Sequence, residues 1–331
     1  MIFRLRRFIF LLGLTGLFVL SGCSSKEGML LLPYVSDSKD QASVLNTMYK
    51  ADMVKGFSQG LAVISPSNTS SPAAKPDDVD AQEIFLAEIG QEDVLKAYHI
   101  FKQMPPASLT KILTALVALQ SDAKLDQEYV LGDEVVIDIS DAQVCGFRPG
   151  DRMTLRTLIY CMLIYSGNDA ANAVAAIISD GDITAFCEEM NAEAARLGAV
   201  HTHFTTPNGL DEPDHYSTAY DLYLIFQECL KYDLFRDAVM QTGYTAHYVR
   251  DGQELTQYYT STNRFLTGES VWPEGIVSLG GKTGTTDKAG TCLILYSTDK
   301  KKKSYISVLL GSPDKPALYD SMANLLAYVN K

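Results

Sequence analysis

The chain has 331 residues, enough for one large domain or two modest ones and for a substantial core. Its 47% hydrophobic and 21% charged residues are the balance of an ordinary globular protein. The formal charge of −12 becomes −15 (25 basic against 40 acidic residues) once residues 1–22, with three arginines and no acid, are set aside; a surface this acidic argues against nucleic acid and anionic lipid headgroups as partners.

Residues 1–22 carry Arg4, Arg6 and Arg7 and then an apolar run to Leu20, the pattern of a secretory leader rather than a membrane span. The run ends in Leu20-Ser21-Gly22-Cys23, which resembles the lipobox of bacterial lipoproteins. That resemblance implies a lipidated Cys23 as first mature residue, with two acyl chains for stable anchoring, and a protein held outside the cytoplasmic membrane by its lipid. Residues 23–55 read as a tether with a short helix near 41–54, and residues 56–331 as the folded domain. Residues 65–80, rich in Ser, Pro, Ala and Asp, read as a loop between the strand-like segments GLAVIS and EIFLAEI, with VLKAYHIF following.

From Leu109 the sequence LTKILTALVALQ predicts a helix too apolar for a surface, and helical periodicity dominates from Ser108 to about Asp233. TLRTLIYCMLIYS and NDAANAVAAIIS are apolar almost all round; DITAFCEEMNAEAARLG is amphipathic and stops at Gly198. After Gln257 strands return as GIVSLGGKTGTT, GTCLILYSTD and KSYISVLLGS, and KPALYDSMANLLAYVNK closes as a helix. The expected class is α+β: one antiparallel sheet from both chain ends, with helices packed on it and a helical lobe inserted. Beyond Cys23 the five cysteines (145, 161, 187, 229 and 292) contain no CxxC and are odd in number, so neither a disulfide framework nor a zinc site is expected.

Three short motifs carry chemistry. S-x-x-K occurs five times, from Ser36, Ser108, Ser121, Ser297 and Ser312; four fall in apparent tether, turn or loop, and only Ser108 opens a buried helix. Ser108 and Lys111, three apart, share a helix face. Burial lowers a lysine's pKa, so this amine can take a proton from serine at neutral pH; the bland alternative is a lysine that snorkels to water. Ser166-Gly167-Asn168 lies between two helices, where the plain reading is an N-cap, and Ser261-Thr262-Asn263 matches the same pattern. Lys282-Thr283-Gly284 occurs once, in a strand whose glycine would admit a ligand, or else is a hairpin glycine beside a surface lysine.

In this order the three motifs, with the blocks PPASLTKILTAL, YSGNDAANAVA, HFTTPNGLDEPDHYSTAYDL, TNRFL and GGKTGTTDKAGTCL, resemble the serine D-Ala-D-Ala carboxypeptidases, the low-molecular-mass penicillin-binding proteins. The resemblance implies the DD-peptidase and serine β-lactamase fold, peptidoglycan stem peptides as substrate, β-lactams as covalent inhibitors, and no cofactor or metal. It implies Ser108 as acylated nucleophile and Lys111 as its base. Asn168 would orient the substrate amide and hold Lys111, and Ser166 with Lys282 would relay a proton to the departing amine. Thr283, Gly284 and Thr285 would bind substrate, the Thr283 hydroxyl and Lys282 receiving its carboxylate and the N–H groups of Ser108 and Thr285 forming an oxyanion hole. The E-x-x-x-N element that deacylates class A β-lactamases is missing between Ser166 and Lys282, and Gly167 stands where the family set has Asp. Both favour a peptidase that penicillin acylates and leaves slowly. No separate C-terminal β-rich domain is expected.

Competing readings are a non-hydrolytic β-lactam-sensing lipoprotein of the same fold and a DD-endopeptidase. Gly56-Phe57-Ser58-Gln59-Gly60 matches G-x-S-x-G, but the strand follows the motif instead of preceding it, the reverse of a nucleophile elbow. His201 and His203 lack a third ligand at a usual spacing. His215 and Asp221 read as structural, Lys300–Lys303 as a solvated hairpin tip, and Asp211, Glu212 and Asp214 as bounding a loop.

Overall fold

The structure, a computed structural model, describes residues 75–92 and 94–330. The leader, Cys23, the tether, GLAVIS, the G-x-S-x-G motif and most of the 65–80 loop lie outside the described residues.

Two early strands, β1 (Glu83–Glu88) and β2 (Val94–Tyr98), join three late ones, β7 (Ile276–Thr286), β8 (Gly290–Asp299) and β9 (Ser304–Ser312), in one antiparallel sheet ordered β2-β1-β9-β8-β7. β1 lies directly against β9, with Glu83 opposite Leu310 and Glu88 opposite Tyr305. Alternation decides what each face meets. Ile84 and Leu86 join Leu293, Leu295 and Leu309 in a core beneath the closing helix, α8 (Lys315–Ala327). Phe85 and Ala87 point the other way, with Ile294 and Val308, into the larger core shared with the helical lobe. A sheet covered on both faces needs no polar alternation, which is why these strands read as continuous apolar runs.

The lobe is built around α1 (Lys111–Gln120), buried from Lys111 to Ala118. It packs against α3 (Asn168–Ile178), α4 (Ile183–Arg196) and α5 (Ala219–Cys229), with α2 (Leu155–Tyr160) and α6 (Asp233–Met240) alongside. The chain supplies N-caps: Thr154, Asp182, Thr218 and Asp314 each accept a backbone N–H from three residues on. Gly198, just past α4, takes φ +81°, the left-handed cap its position predicts.

A second antiparallel sheet, β3 (Glu128–Val130), β4 (Arg152–Thr154), β5 (Gly243–Arg250) and β6 (Gln253–Thr260), was not among the expected elements. β6 is mostly exposed and carries little hydrophobic pattern. Its signal was Asp251-Gly252, both at positive φ (51° and 75°), the turn that two-residue hairpins prefer. Arg250 fastens this hairpin to the lobe through Nε and Nη2, both on the buried Asp151 carboxylate. Two of the S-x-x-K serines lie in strands rather than in turn or loop: Ser297 is buried inside β8, and Ser312 is the buried last residue of β9. The 300–303 tip does lie between β8 and β9, its backbone held by Asp299 and its Lys303 paired with Glu88.

Candidate active site

The first motif sits on a strained turn. After Pro105 and Pro106 the chain makes one 3₁₀ turn, Ala107–Thr110, and runs directly into α1. Ser108 lines the cleft while Lys111 is wholly buried. Lys111 Nζ lies 2.8 Å from Ser108 Oγ, 2.8 Å from Asn168 Oδ1 and 2.5 Å from the Asn208 carbonyl. Burial first, and the charge of Lys282 second, hold this amine well below the ordinary lysine range, against an opposing pull from Asp169 and Cys145. A neutral amine has two N–H donors and one lone pair. Asn168 Oδ1 and the Asn208 carbonyl can only accept, so they take both hydrogens. The lone pair is left facing Ser108 Oγ, where it can accept the serine proton.

The second motif follows a break in helical geometry. α2 loosens into one π turn, Cys161–Tyr165, and Ser166 then takes φ +69°. Ser166 is therefore no N-cap; its hydroxyl is 2.7 Å from Lys282 Nζ. Gly167 has a local reason: a Cβ there would stand 2.4 Å from Cys145 Sγ and 2.8 Å from Asp169 Oδ1, so a larger residue requires those side chains to move. The next residue, Asp169, was not expected to matter. Its buried carboxylate accepts the backbone N–H groups of Cys145, Gly146 and Phe147 and clasps the 143–147 loop onto the motif.

The third motif lies on β7, the edge strand. Lys282 is buried and bonds to Ser166 Oγ and, at 2.9 Å, to the Thr283 carbonyl. At Gly284 the missing side chain gives room to the Ser108 turn. A Cβ at Gly284 would lie 3.0 Å from Ala107 Cβ, 3.1 Å from the Pro106 carbonyl oxygen and 3.1 Å from Ser108 N. Gly209 does the same on the other side, where a Cβ would come within 2.0 Å of the Ala107 carbonyl oxygen.

Ser108, Ser166, Asn168, Thr283, Gly284 and Thr285 line one cleft of about 590 Å³. Thr262, part of the alternative S-x-N match, also lines it, 2.6 Å from Thr283 Oγ1, while Asn263 merely caps α7 (Arg264–Thr267). Asp211, expected only to bound a loop, reaches the cleft rim, where it accepts from Thr286 Oγ1. His201 and His203 serve the fold: the His201 N–H meets Asp221, and His203 Nδ1 bonds the Asp214 carbonyl.

Burial brings Lys282 down to about 7 from an ordinary 10.5. Between those values the unfolded chain binds the proton that the folded chain does not. This group's contribution to stability therefore rises with pH across that window and is lost as pH falls toward 7. Lys282→Met removes that dependence. From pH 7 to pH 9, the melting temperature of the variant is expected to drop by about 5 °C relative to the parent. A difference that stays constant with pH would mean that Lys282 keeps its proton in the fold.

A family model described as D-alanyl-D-alanine carboxypeptidase matches residues 69–314. The D-alanyl-D-alanine carboxypeptidase DacB2 of Mycobacterium tuberculosis is 34% identical over 256 residues, covering 75% of this chain and 81% of that one. DacF of Bacillus subtilis is 33% identical, over 70% of this chain and 58% of its own length. Among solved structures, the Streptomyces K15 DD-transpeptidase superposes with a TM-score of 0.70 at 29% identity, covering 77% of this chain and 98% of that chain. A carboxypeptidase from M. tuberculosis gives 0.68 at 29% identity, with 80% and 95% covered.

Proposed function

Since the chain belongs to the D-alanyl-D-alanine carboxypeptidase family, we propose that it removes the terminal D-Ala from peptidoglycan stem peptides through an ester on Ser108. Ser108 Oγ attacks the carbonyl carbon of the penultimate D-Ala as its proton passes to the Lys111 lone pair. The developing oxyanion sits between the N–H groups of Ser108 and Thr285. Asn168, its Oδ1 engaged by Lys111, has its amide nitrogen left for the substrate backbone. The C–N bond then breaks, and the leaving amine takes a proton from Lys282 through Ser166. Thr283 and Lys282 receive the free carboxylate of the substrate. Lys111 then gives up the serine proton, through solvent in the cleft, to the emptied Lys282; neutral again, it takes a proton from the water that attacks the ester and returns it to Ser108 Oγ as the acyl group leaves. With a β-lactam the same attack opens the ring, but the amine stays tethered and the ester persists. The observation that carries this reading is the Lys111 amine, buried, below its ordinary pKa and saturated by two acceptors on every side but that of Ser108.

The test is intact-protein mass spectrometry after benzylpenicillin, read beside D-Ala release from a pentapeptide. One adduct on the peptide containing Ser108, with D-Ala released, is the expected result. Labelling without release would favour the β-lactam sensor.

We further propose that a diacylglyceryl group on Cys23 holds the enzyme outside the cytoplasmic membrane. Cys23→Ala is expected to move the protein into the soluble fraction, and unchanged partitioning would remove the lipid from the account.

A further inference from the structure

The backbone just before Ser108 is held in an unfavourable conformation, and the groups that hold it lie outside the cleft. Ala107 has φ +50° and is fully buried. A left-handed alanine costs about 1–2 kcal/mol and persists only where neighbours impose it. Gly209 and Gly284 leave it room but do not fasten it. The fastening is a hydroxyl: Thr110 Oγ1 donates to the Ala107 carbonyl at 2.8 Å.

Thr110 is fastened in turn. His215 Nε2 stands 2.8 Å from Thr110 Oγ1. On the far side of the ring, the Thr205 backbone N–H meets Nδ1 at 3.0 Å. A backbone N–H can only donate, so Nδ1 carries a lone pair. The neutral ring therefore holds its proton on Nε2 and donates it to Thr110. Thr110 has one proton, already given to Ala107, so it needs a donor at that place. Both constraints select the same tautomer. The ring is buried, packed edge-on against Phe204 at 5.5 Å, and burial, aided by His203 and Lys111 against Asp211, brings it down to about 4, so it is neutral at working pH. The relay runs one way: Thr205 N–H to His215, His215 to Thr110, Thr110 to the Ala107 carbonyl. Neither Thr110 nor His215 is among the residues lining the cleft.

We propose that His215 and Thr110 are positioning residues for acylation: their relay locks the left-handed Ala107 backbone and thereby aims Ser108 Oγ at Lys111 and the Ser108 N–H into the oxyanion hole. This rests on Ser108 being the nucleophile.

The test compares Thr110→Val, Thr110→Ser, His215→Leu and the Thr110→Val/His215→Leu pair by stopped-flow acylation with a fluorescent penicillin, normalised to folded protein, with Ser108→Ala as control. Misplacing a nucleophile by a fraction of an ångström slows acylation without weakening binding, so Thr110→Val is expected to lose about 30-fold in acylation rate and His215→Leu about 10-fold, at nearly unchanged affinity. Thr110→Ser, which keeps the hydroxyl, is expected to stay within about threefold of the parent. The pair is expected to be no slower than Thr110→Val alone, because His215 acts only through Thr110. A structural role alone would lower the melting temperature and leave the rate per folded molecule unchanged. That result overturns the proposal, as do losses that multiply in the pair or a serine variant as slow as the valine one. Should Thr110→Val not fold, His215→Leu decides: an unchanged rate refutes the relay. Labelling that survives in Ser108→Ala would overturn the nucleophile assignment itself, a separate failure.

Discussion

Ser108→Ala is expected to abolish both penicillin labelling and D-Ala release, a loss of about 10⁵-fold or more. The size follows from the surroundings of the Lys111 amine. Its other two contacts, Asn168 Oδ1 and the Asn208 carbonyl, have no nucleophilic proton to give. Ser166 is bonded to Lys282, and Thr110 donates to a backbone carbonyl. With Ser108 gone, no second hydroxyl stands where Lys111 can activate it. Gel fluorescence with a labelled penicillin and an enzymatic D-Ala assay measure the two losses. Labelling that persists at a second site would refute the assignment.

Lys111→Met is expected to lower the acylation rate by about 10³- to 10⁴-fold while penicillin affinity changes little. Lys111→Arg sharpens the result. Arginine restores a cation but no lone pair at any accessible pH, and its planar head does not fit between Ser108, Asn168 and Asn208. If Lys111 acts as a base, arginine fails as badly as methionine. If it acted only through charge, arginine would recover activity, and the mechanism proposed above would fall.

Much of this was legible before any coordinates. β1, β8 and β9 declare themselves because both of their faces are buried, and Gly198 marks the end of α4. The grouping of Ser108, Lys111, Ser166, Asn168 and Lys282 was implied by the resemblance to the serine D-Ala-D-Ala carboxypeptidases; of the three motifs only Ser108-x-x-Lys111 was set apart from its copies by context, at the head of a buried helix. What stayed hidden was set by contact rather than by pattern. The exposed β5–β6 hairpin has too little periodicity to read, although Asp251-Gly252 announced its turn. Asp169 looks like an ordinary first-turn acid until the 143–147 loop folds onto it. Nothing in the sequence says that the Ser108 turn packs against Gly284. His215 was read as structural; its ring joins the Ser108 turn only through Thr110, 105 residues earlier.

The pairing of β1 with β9 has a consequence for how the enzyme matures. Glu83 and Leu310 are neighbours in space and 227 positions apart in the chain, so closing this sheet is a late, long-range event with a high contact order. Ser108 follows the early strands and Lys282 comes 174 positions later on β7, so the site that both belong to is complete only once the late strands have joined the early ones.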